Sequence, residues 1–539
     1  MHSNTLSCKL FYLILFFAAP LYALGQPPTL LWQRSIGGSD DEYANSMFQY
    51  GYGYAIVCVG RTNSGDGDFS GCGNPLLDVE ALVTKTDSSG NFYDCFGFGG
   101  SGYDEFNKGM FVVPYGSQIH LMFLGRTTSN DRDVSGNHGS FDAWLVRTMT
   151  NGTIISQKCI GGTGWEDAFD FVEMPDKGFM ICGISSSDTI DGLPTGNHGS
   201  FDAWIVRTDS IGNIIWNKMF GGSGEDWFTS IVKTFDGNFV LSGFTSSIDG
   251  DITNNQGQSD YFMMKIDSSG NVIWNKTYGG SNDEYSYQVI QTKDSGLVFT
   301  GYTYSFDGDV SGNVSSLGES DVWLIKTNSN GNVLWKYCYG STGSEISYSV
   351  YEDSDRNIIV PAFVTFEDNI ATGCGVHGQC CDPWVFKVDS TGNLLWQKCF
   401  GSNSLDWVFR DIVEGTAHKY FLVGQVTQNS GDVTGYHGGN EEIWLIQIKD
   451  NSLSNNIESI KANEDVTITP TVFTENVKIT SLLKINSVDV YNIAGVKVYA
   501  SSKENYNQCE LELGSLKPGL YILSVQTEIQ KYMFKIVKE

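Results

Sequence analysis

The sequence predicts an all-β chain: a seven-bladed β-propeller closed by an N-terminal strand, followed by a small C-terminal β-sandwich. Three observations carry this expectation. The first is a repeat: WNKMFGGS begins at Trp216, WNKTYGGS at Trp274, WKYCYGST at Trp335 and WQKCFGSN at Trp396, with earlier copies starting at Trp32, Asp94 and Ser156. The seven starts are 62, 62, 60, 58, 61 and 61 residues apart, a period that marks a repeat architecture. The second is the content of one period, where TSIVKT, FVLSGFT, DYFMMKI and VIWNKTY are β-branched and aromatic runs separated by Asp, Gly and Asn clusters. That is four antiparallel strands per unit, the make-up of a propeller blade. The third is a change of pattern near the C-terminus, where turn signals every eight to twelve residues indicate a small sandwich.

Taken in order, residues 1–25 read as a signal peptide. Lys9 is the only charge, residues 10–24 are apolar, and Ala23-Leu24-Gly25 places small residues at a cleavage site. The apolar run is too short to span a bilayer, and no later stretch is long and apolar enough to do so. Residues 26–450 hold the seven repeats. After the seventh third strand, EIWLIQIKD, no fourth-strand copy follows, while LLWQRS at 30–35 precedes the first full unit. An N-terminal strand that completes the last blade closes the ring and removes its open edge. Ten of the 13 Trp fall at two repeat positions, Trp32, Trp216, Trp274, Trp335 and Trp396 on fourth strands and Trp144, Trp204, Trp323, Trp384 and Trp444 on third strands. Large aromatics at equivalent places fill the wedges between blades. Residues 451–463 are an Asn/Ser-rich linker, and 464–539 form the terminal domain.

Composition narrows the function. The 539 residues carry 62 acids against 33 Lys and Arg, a formal net charge of -29, which excludes nucleic acid as a partner. Hydrophobic residues at 41% supply a core, and 62 Gly with 11 Pro suit many tight turns. The acids are concentrated. Two connections per blade, GGSxxDE before the first strand and the long loop after the second, together hold 36 acids and three bases: Arg61, Arg126 and Arg132. In a meander both emerge on one face, so one face is expected to be strongly negative and to attract cations or a basic partner. In an exported chain the cysteines can form disulfides. Cys374, Cys380 and Cys381, with His377 between, read as a local disulfide rather than a zinc site.

The repeat region, with units such as SGFTSSIDGD and DYFMMKIDSSGNVIWNK, resembles the bacterial β-propeller-repeat proteins over residues 30–450. That resemblance specifies fold and leaves function open, because propellers host both enzymes and binding platforms. The terminal segment, with VDVYNIAGVKVY around Gly495, LKPGLYILSV around Gly519 and Tyr521, and KIVKE with Lys535, resembles the type A C-terminal sorting domain of the type IX secretion system. It departs from that family at Thr469-Pro470-Thr471, where a Pro-Asn-Pro-like turn is usual. The resemblance implies a Bacteroidetes-type cell, the secretion machinery as partner, and a chain released or held at the outer surface.

Several residue patterns could carry a site. Asp66/Asp68, Asp131/Asp133, Asp249/Asp251 and Asp307/Asp309 recur as Asp-x-Asp in the long loops. Paired carboxylates near backbone carbonyls suit calcium, and the same residues suit capping of their own turns. His138, His198, His377 and His437 recur at one loop position, which indicates loop packing. Tyr43, Trp227, Tyr285 and Trp407 follow the acidic connection and are candidates for stacking on a sugar ring, or for pinning the loop to the blade. The chain shows neither a G-x-S-x-G elbow nor H-E-x-x-H, so no catalytic residue is assigned. The expected function is a monomeric, secreted or surface-displayed binding or adhesion protein whose acidic face meets a glycan, basic protein or cation. The alternatives are a polysaccharide-acting enzyme using channel carboxylates, and a purely structural surface protein.

Overall fold

The computed structural model describes residues 25–451 and 466–538, apart from short segments at 51–54, 73–78, 114–117, 253, 378–380, 405, 417, 470–471, 493–496, 502–505 and 528–530. The expected signal peptide up to residue 24, Cys380, the linker from 452 and Gly495 lie outside the described residues. The chain divides into two compact units, Met1–Asn451 and Ser452–Glu539.

Seven successive antiparallel sheets build the first unit. Blades 1 to 5 begin with the strands Glu42–Tyr50, Asp104–Val112, Glu166–Glu173, Asp226–Lys233 and Glu284–Gln291. Blade 6 begins with a split strand, Ile346–Ser347 and Tyr351–Glu352, and blade 7 with Asp411–Glu414. The outer strand of blade 7 is Thr29–Ile36, paired antiparallel with Glu442–Lys449. The ring is therefore closed by the N-terminal strand, as the unequal chain ends require.

The core has one apolar cluster for each junction between neighbouring blades. Phe106, Phe123 and Trp144 of blade 2 pack with Val57 and Val83 of blade 1. Phe421, Val423 and Leu445 of blade 7 pack with Met47, Ile56 and Leu82 of blade 1, which seals the last junction. The third-strand Trp144, Trp204, Trp323, Trp384 and Trp444 are fully buried. Large side chains at one position per blade fill wedges that a flat sheet surface would leave empty.

Turn chemistry fixes the hairpins. In DSSGN, Asp87 Oδ1 accepts the Ser89 and Asn91 amides at 2.8 and 3.0 Å, and Gly90 adopts φ +83°. The same arrangement recurs at Asp209, Asp267 and Asp389. A side chain that bonds its own turn and a glycine in the left-handed region make these two-strand connections local decisions.

A second glycine position explains the first strands. Blades 1 to 5 each carry a β-bulge there, at Ala44/Ser46, Phe106/Lys108, Ala168/Asp170, Phe228/Ser230 and Ser286/Gln288. The bulge pushes a carbonyl toward the second strand: a Cβ on Gly60 would meet Tyr43 O at 1.9 Å, and one on Gly243 would meet Trp227 O at 1.8 Å. Blade 6 has Ala362 at this place, and its first strand is interrupted between Ser347 and Tyr351.

In the second unit, the 17-residue strand Asn476–Asn492 is the spine. Its first half pairs with Val466–Thr469 and Tyr506–Glu512, its second half with Lys497–Ser501 and Gly519–Thr527. Val477, Ile479, Val488, Val490, Leu523 and Ile536 form its core. Gly519 has φ +152°, Tyr521 is buried with its hydroxyl donating to Lys517 O at 2.8 Å, and Lys535 pairs through its backbone with Ile522.

Two disulfides tie long loops to fourth strands: Cys72–Cys95 in blade 1 and Cys374–Cys399 in blade 6. Cys374 thus reaches the outer strand of its own blade, a correction to the pairing within the Cys374–Cys381 cluster expected from spacing.

Candidate functional site

The acidic loops use much of their charge internally. The acid five residues after the first glycine of each such connection (Glu42, Asp104, Glu166, Asp226, Glu284, Glu345 and Asp406) is buried. Each accepts the amide four residues back, as in Gly38 N to Glu42 Oε2 at 3.0 Å and Gly280 N to Glu284 Oε2 at 2.7 Å. A second buried acid opens most third strands: Asp142, Asp202, Asp260, Asp321, Asp382 and Glu442. The repeating histidines bind it, with His138 Nδ1 2.7 Å from Asp142 Oδ2 and His437 Nδ1 3.1 Å from Glu442 Oε2. The two sets meet at the blade junctions. A methyl on Gly161 would meet Asp142 Oδ1 at 2.4 Å and Glu166 Oε2 at 2.8 Å. In Asp142, Asp202, Asp260, Asp321 and Asp382 the Oδ1 atom facing this contact has no hydrogen-bond partner.

The Asp-x-Asp pairs join two connections on that face. Asp66, Asp131, Asp249 and Asp307 accept the amides of Ser39, Ser101, Ser223 and Ser281 at 2.7–2.8 Å through Oδ1. Asp68 pairs with Arg34 at 3.0 Å and Asp309 with Lys336 at 2.9 Å, while Asp133 and Asp251 accept the Gly99 and Gly221 amides at 3.3 Å. Among the described residues, no group of three or more His, Cys, Asp or Glu side chains is gathered as a metal would need.

The propeller axis is where the sevenfold pattern breaks. The bulge residues of blades 1 to 5, Asn45, Asn107, Phe169, Thr229 and Tyr287, converge there, with Tyr348 and Arg410 at the equivalent places of blades 6 and 7. The residues that follow them in sequence are Ser46, Lys108, Asp170, Ser230, Gln288, Ser349 and Asp411. Together with Trp227, Phe244, Tyr285 and Tyr302 most of these line a cavity of about 360 Å³. Of the four aromatics singled out from the sequence, Trp227 and Tyr285 line it. Tyr43 lies under the Arg61 guanidinium, 4.1 Å from the ring centroid, and Trp407 is 41% exposed.

One side of the cavity is aromatic. Phe169 stacks on Trp227 at 5.6 Å, Trp227 on Phe244 at 5.2 Å, and Phe244 meets Tyr285 edge-on at 4.7 Å. Tyr285 leads to Tyr302 at 5.3 Å, Tyr302 to Tyr287 at 5.9 Å, and Tyr287 to Tyr348 at 4.5 Å. The other side, from blades 1, 2, 3 and 7, is polar and charged. Asn45 donates to Glu105 Oε1 and Phe106 O at 2.9 and 3.0 Å, and Asn107 donates to Asp167 and Ala168 O at 2.8 and 2.9 Å. Lys108 Nζ is 3.6 Å from Asp411, whose carboxylate also accepts the Met47 amide at 3.0 Å. Burial opposes the Lys108 charge, yet Asp411 and Asp170 outweigh it and raise its pKa. Asp170 accepts from Ser230 Oγ and the Ile231 amide, both at 3.0 Å, and burial raises its carboxyl above the ordinary value despite Lys108.

Above this wall, Arg126 bridges Glu105 and Asp167 at 2.9 and 2.8 Å, and Arg61 approaches Glu105 at 3.6 Å. Burial works against the Glu105 charge, but Arg126 and Arg61 prevail and hold its pKa low. Burial pushes Asp167 up to about 7 in spite of Arg126. Sequence reasoning missed Arg410, Lys108, Asp170 and Asp411. The signal that could have found them is the bulge column itself, the position in the repeat where the residue type changes from blade to blade.

Fold and tail together define the class, an exported β-propeller protein carrying its own sorting address. Residues 463–539 match the family model described as a secretion system C-terminal sorting domain. The chain is therefore exported through the type IX secretion system, to the cell surface or beyond it. No helix among the described residues is long and apolar enough to cross a membrane. An uncharacterized WD repeat-containing protein of Acanthamoeba polyphaga mimivirus is 21% identical over 287 residues, covering 42% of this chain and 20% of that protein. Among solved structures, the extracellular domain of a two-component system from B. thetaiotaomicron has 9% identity and a TM-score of 0.37, covering 95% of this chain and 58% of that one. The phage phi92 endosialidase has 10% identity and a TM-score of 0.38, with 93% and 78% covered.

Proposed function

We propose that the protein is an extracellular binding propeller that takes a sugar ring in its axial cavity. The observation that supports this is the continuous aromatic arc from Phe169 through Trp227 and Phe244 to Tyr285, set opposite Asn, Ser, Gln and charged side chains. Aromatic faces pack against the C–H face of a pyranose, and convergent polar groups bond its hydroxyls. The Asp-x-Asp pairs keep the acidic loops in place by accepting amides of the neighbouring connection. Isothermal titration of the exported protein against an oligosaccharide panel tests the reading. Trp227→Ala is expected to weaken binding about tenfold or more while the fold persists. Binding that survives this change undiminished refutes the axial site.

A second reading has one observation in its favour. Burial raises the Asp170 carboxyl above its ordinary value, and Asp411 lines the same cavity, so two carboxylates face one space, as glycoside hydrolysis requires. A reducing-sugar assay on the same panel separates the two: turnover lost in Asp170→Asn supports a hydrolase, and binding without turnover supports the platform.

A further inference from the structure

We infer that the sugar bound on the axis is acidic, a uronic-acid-type ring whose carboxylate is held by Arg410. This rests on the binding reading above and adds the ligand's charge. Arg410 immediately precedes the first strand of blade 7, Asp411–Glu414, and lines the cavity. Its guanidinium lies over Tyr348, 4.0 Å from the ring centroid, at the end of the aromatic arc. The other arginines of the axis are paired with carboxylates, Arg126 with Glu105 and Asp167 and Arg61 with Glu105. Arg410 has no such partner among the described residues, and its Nε is buried without a hydrogen bond.

A buried guanidinium donor left unmet is costly, and a bidentate carboxylate is the group whose geometry matches it. The acids nearest the site do not serve this role. Asp411 is engaged by Lys108, the Met47 amide and Ser349 Oγ at 3.4 Å, and Asp170 by Ser230 and the Ile231 amide. Among the described residues the cavity thus offers one positive charge with no carboxylate partner, beside Tyr348 and Tyr287, in a chain whose net charge is -29. Free anions are repelled by that field at long range, so the ligand must also gain from stacking. A carboxylated sugar satisfies both conditions, whereas phosphate or a neutral sugar satisfies one.

The test compares glucuronic and galacturonic acid oligomers with their neutral glucose and galactose counterparts, by titration calorimetry on the full exported chain. The acidic series is expected to bind about tenfold tighter or more, with the advantage falling as salt rises. Arg410→Ala should abolish that advantage, while Arg410→Lys should restore part of it. Equal affinity for acidic and neutral sugars, or an advantage that survives Arg410→Ala, overturns the inference while leaving the axial site intact. Loss of all sugar binding in Trp227→Ala but not in Arg410→Ala identifies the aromatic arc as the sugar platform. If neither sugar series binds the parent protein, the binding reading itself fails.

Discussion

Replacing Asp260 by Asn probes the ring of acid pairs at the blade junctions. Asp260 is fully buried, its Oδ2 accepts the Gln256 amide at 2.7 Å, and its Oδ1 is unpartnered. A methyl on Gly279 would meet that Oδ1 at 2.2 Å and Glu284 Oε2 at 2.4 Å, so two carboxylates crowd one small space. Burial, and then the Glu284 charge, push the Asp260 carboxyl from 3.8 up to about 7. An acid whose folded pKa exceeds its unfolded value stabilises fully below the unfolded pKa and loses that contribution as pH rises through the folded one. For Asp260 the loss runs from about pH 4 to about pH 7. The full gap corresponds to at most about 4 kcal/mol. Sharing of the proton with Glu284 reduces the effect at one site to about 1–3 kcal/mol. Asp260→Asn keeps the shape, can still accept the Gln256 amide, and offers an N–H to Glu284. The variant is expected to melt about 2–4 °C above the parent at pH 8, with the difference vanishing near pH 5. Near-ultraviolet circular dichroism melts at the two pH values read this directly. An equal loss of stability at both would refute the reasoning, because it would mean that Asp260 acts as an ionised hydrogen-bond acceptor throughout.

Other predictions concern the remaining charged and structural devices. Lys387 lies between Asp353 and Asp450, 2.6 Å from each, so Lys387→Met is expected to cost about 3–5 kcal/mol in urea unfolding; a cost under about 1 kcal/mol would show that the acids carry protons. Asp131→Ala removes the acceptor for the Ser101 amide and should destabilise by about 1 kcal/mol. Adding calcium should leave the melting of parent and variant unchanged, and a calcium-dependent rise in the parent that the variant lacks would give the Asp-x-Asp pairs a metal-binding role. A chain lacking residues 464–539 should fail to reach the cell surface, as read by protease accessibility on intact cells, since the sorting domain occupies 463–539.

The propeller was legible in the sequence because each of its decisions is local. DSSGN-type turns bond their own backbone, the third-strand Trp fills its own wedge, and the period brings the turn back six times and the Trp five times. The closing strand was legible by subtraction, since LLWQRS has no third strand before it and EIWLIQIKD no fourth strand after it. The axial site was not legible, because the bulge at Asn45, Asn107 or Phe169 shifts the two-residue alternation and turns a residue inward that simple alternation would place elsewhere. Averaging over repeats hid it further. The features that recur between blades, Asp-x-Asp in four of them and the histidine in four, bond loop amides and the acids that open third strands. The side chains that differ from blade to blade line the cavity. Lys387 between Asp353 and Asp450 was also invisible, since the three residues lie on two adjoining blades.

The strand Thr29–Ile36 has a consequence in time. It finds its partner only when Glu442–Lys449 exists, about 410 residues later in synthesis. At roughly 5–20 residues per second, the first strand of the ring is made some 20–80 s before the segment it pairs with. Throughout that interval Leu30, Trp32 and Ile36 have no third strand to cover them, and six other blades are free to form. Until the two ends meet, this propeller is an open arc with two unsatisfied edges, and any chaperone that guards it must hold on to its beginning until its end has been made.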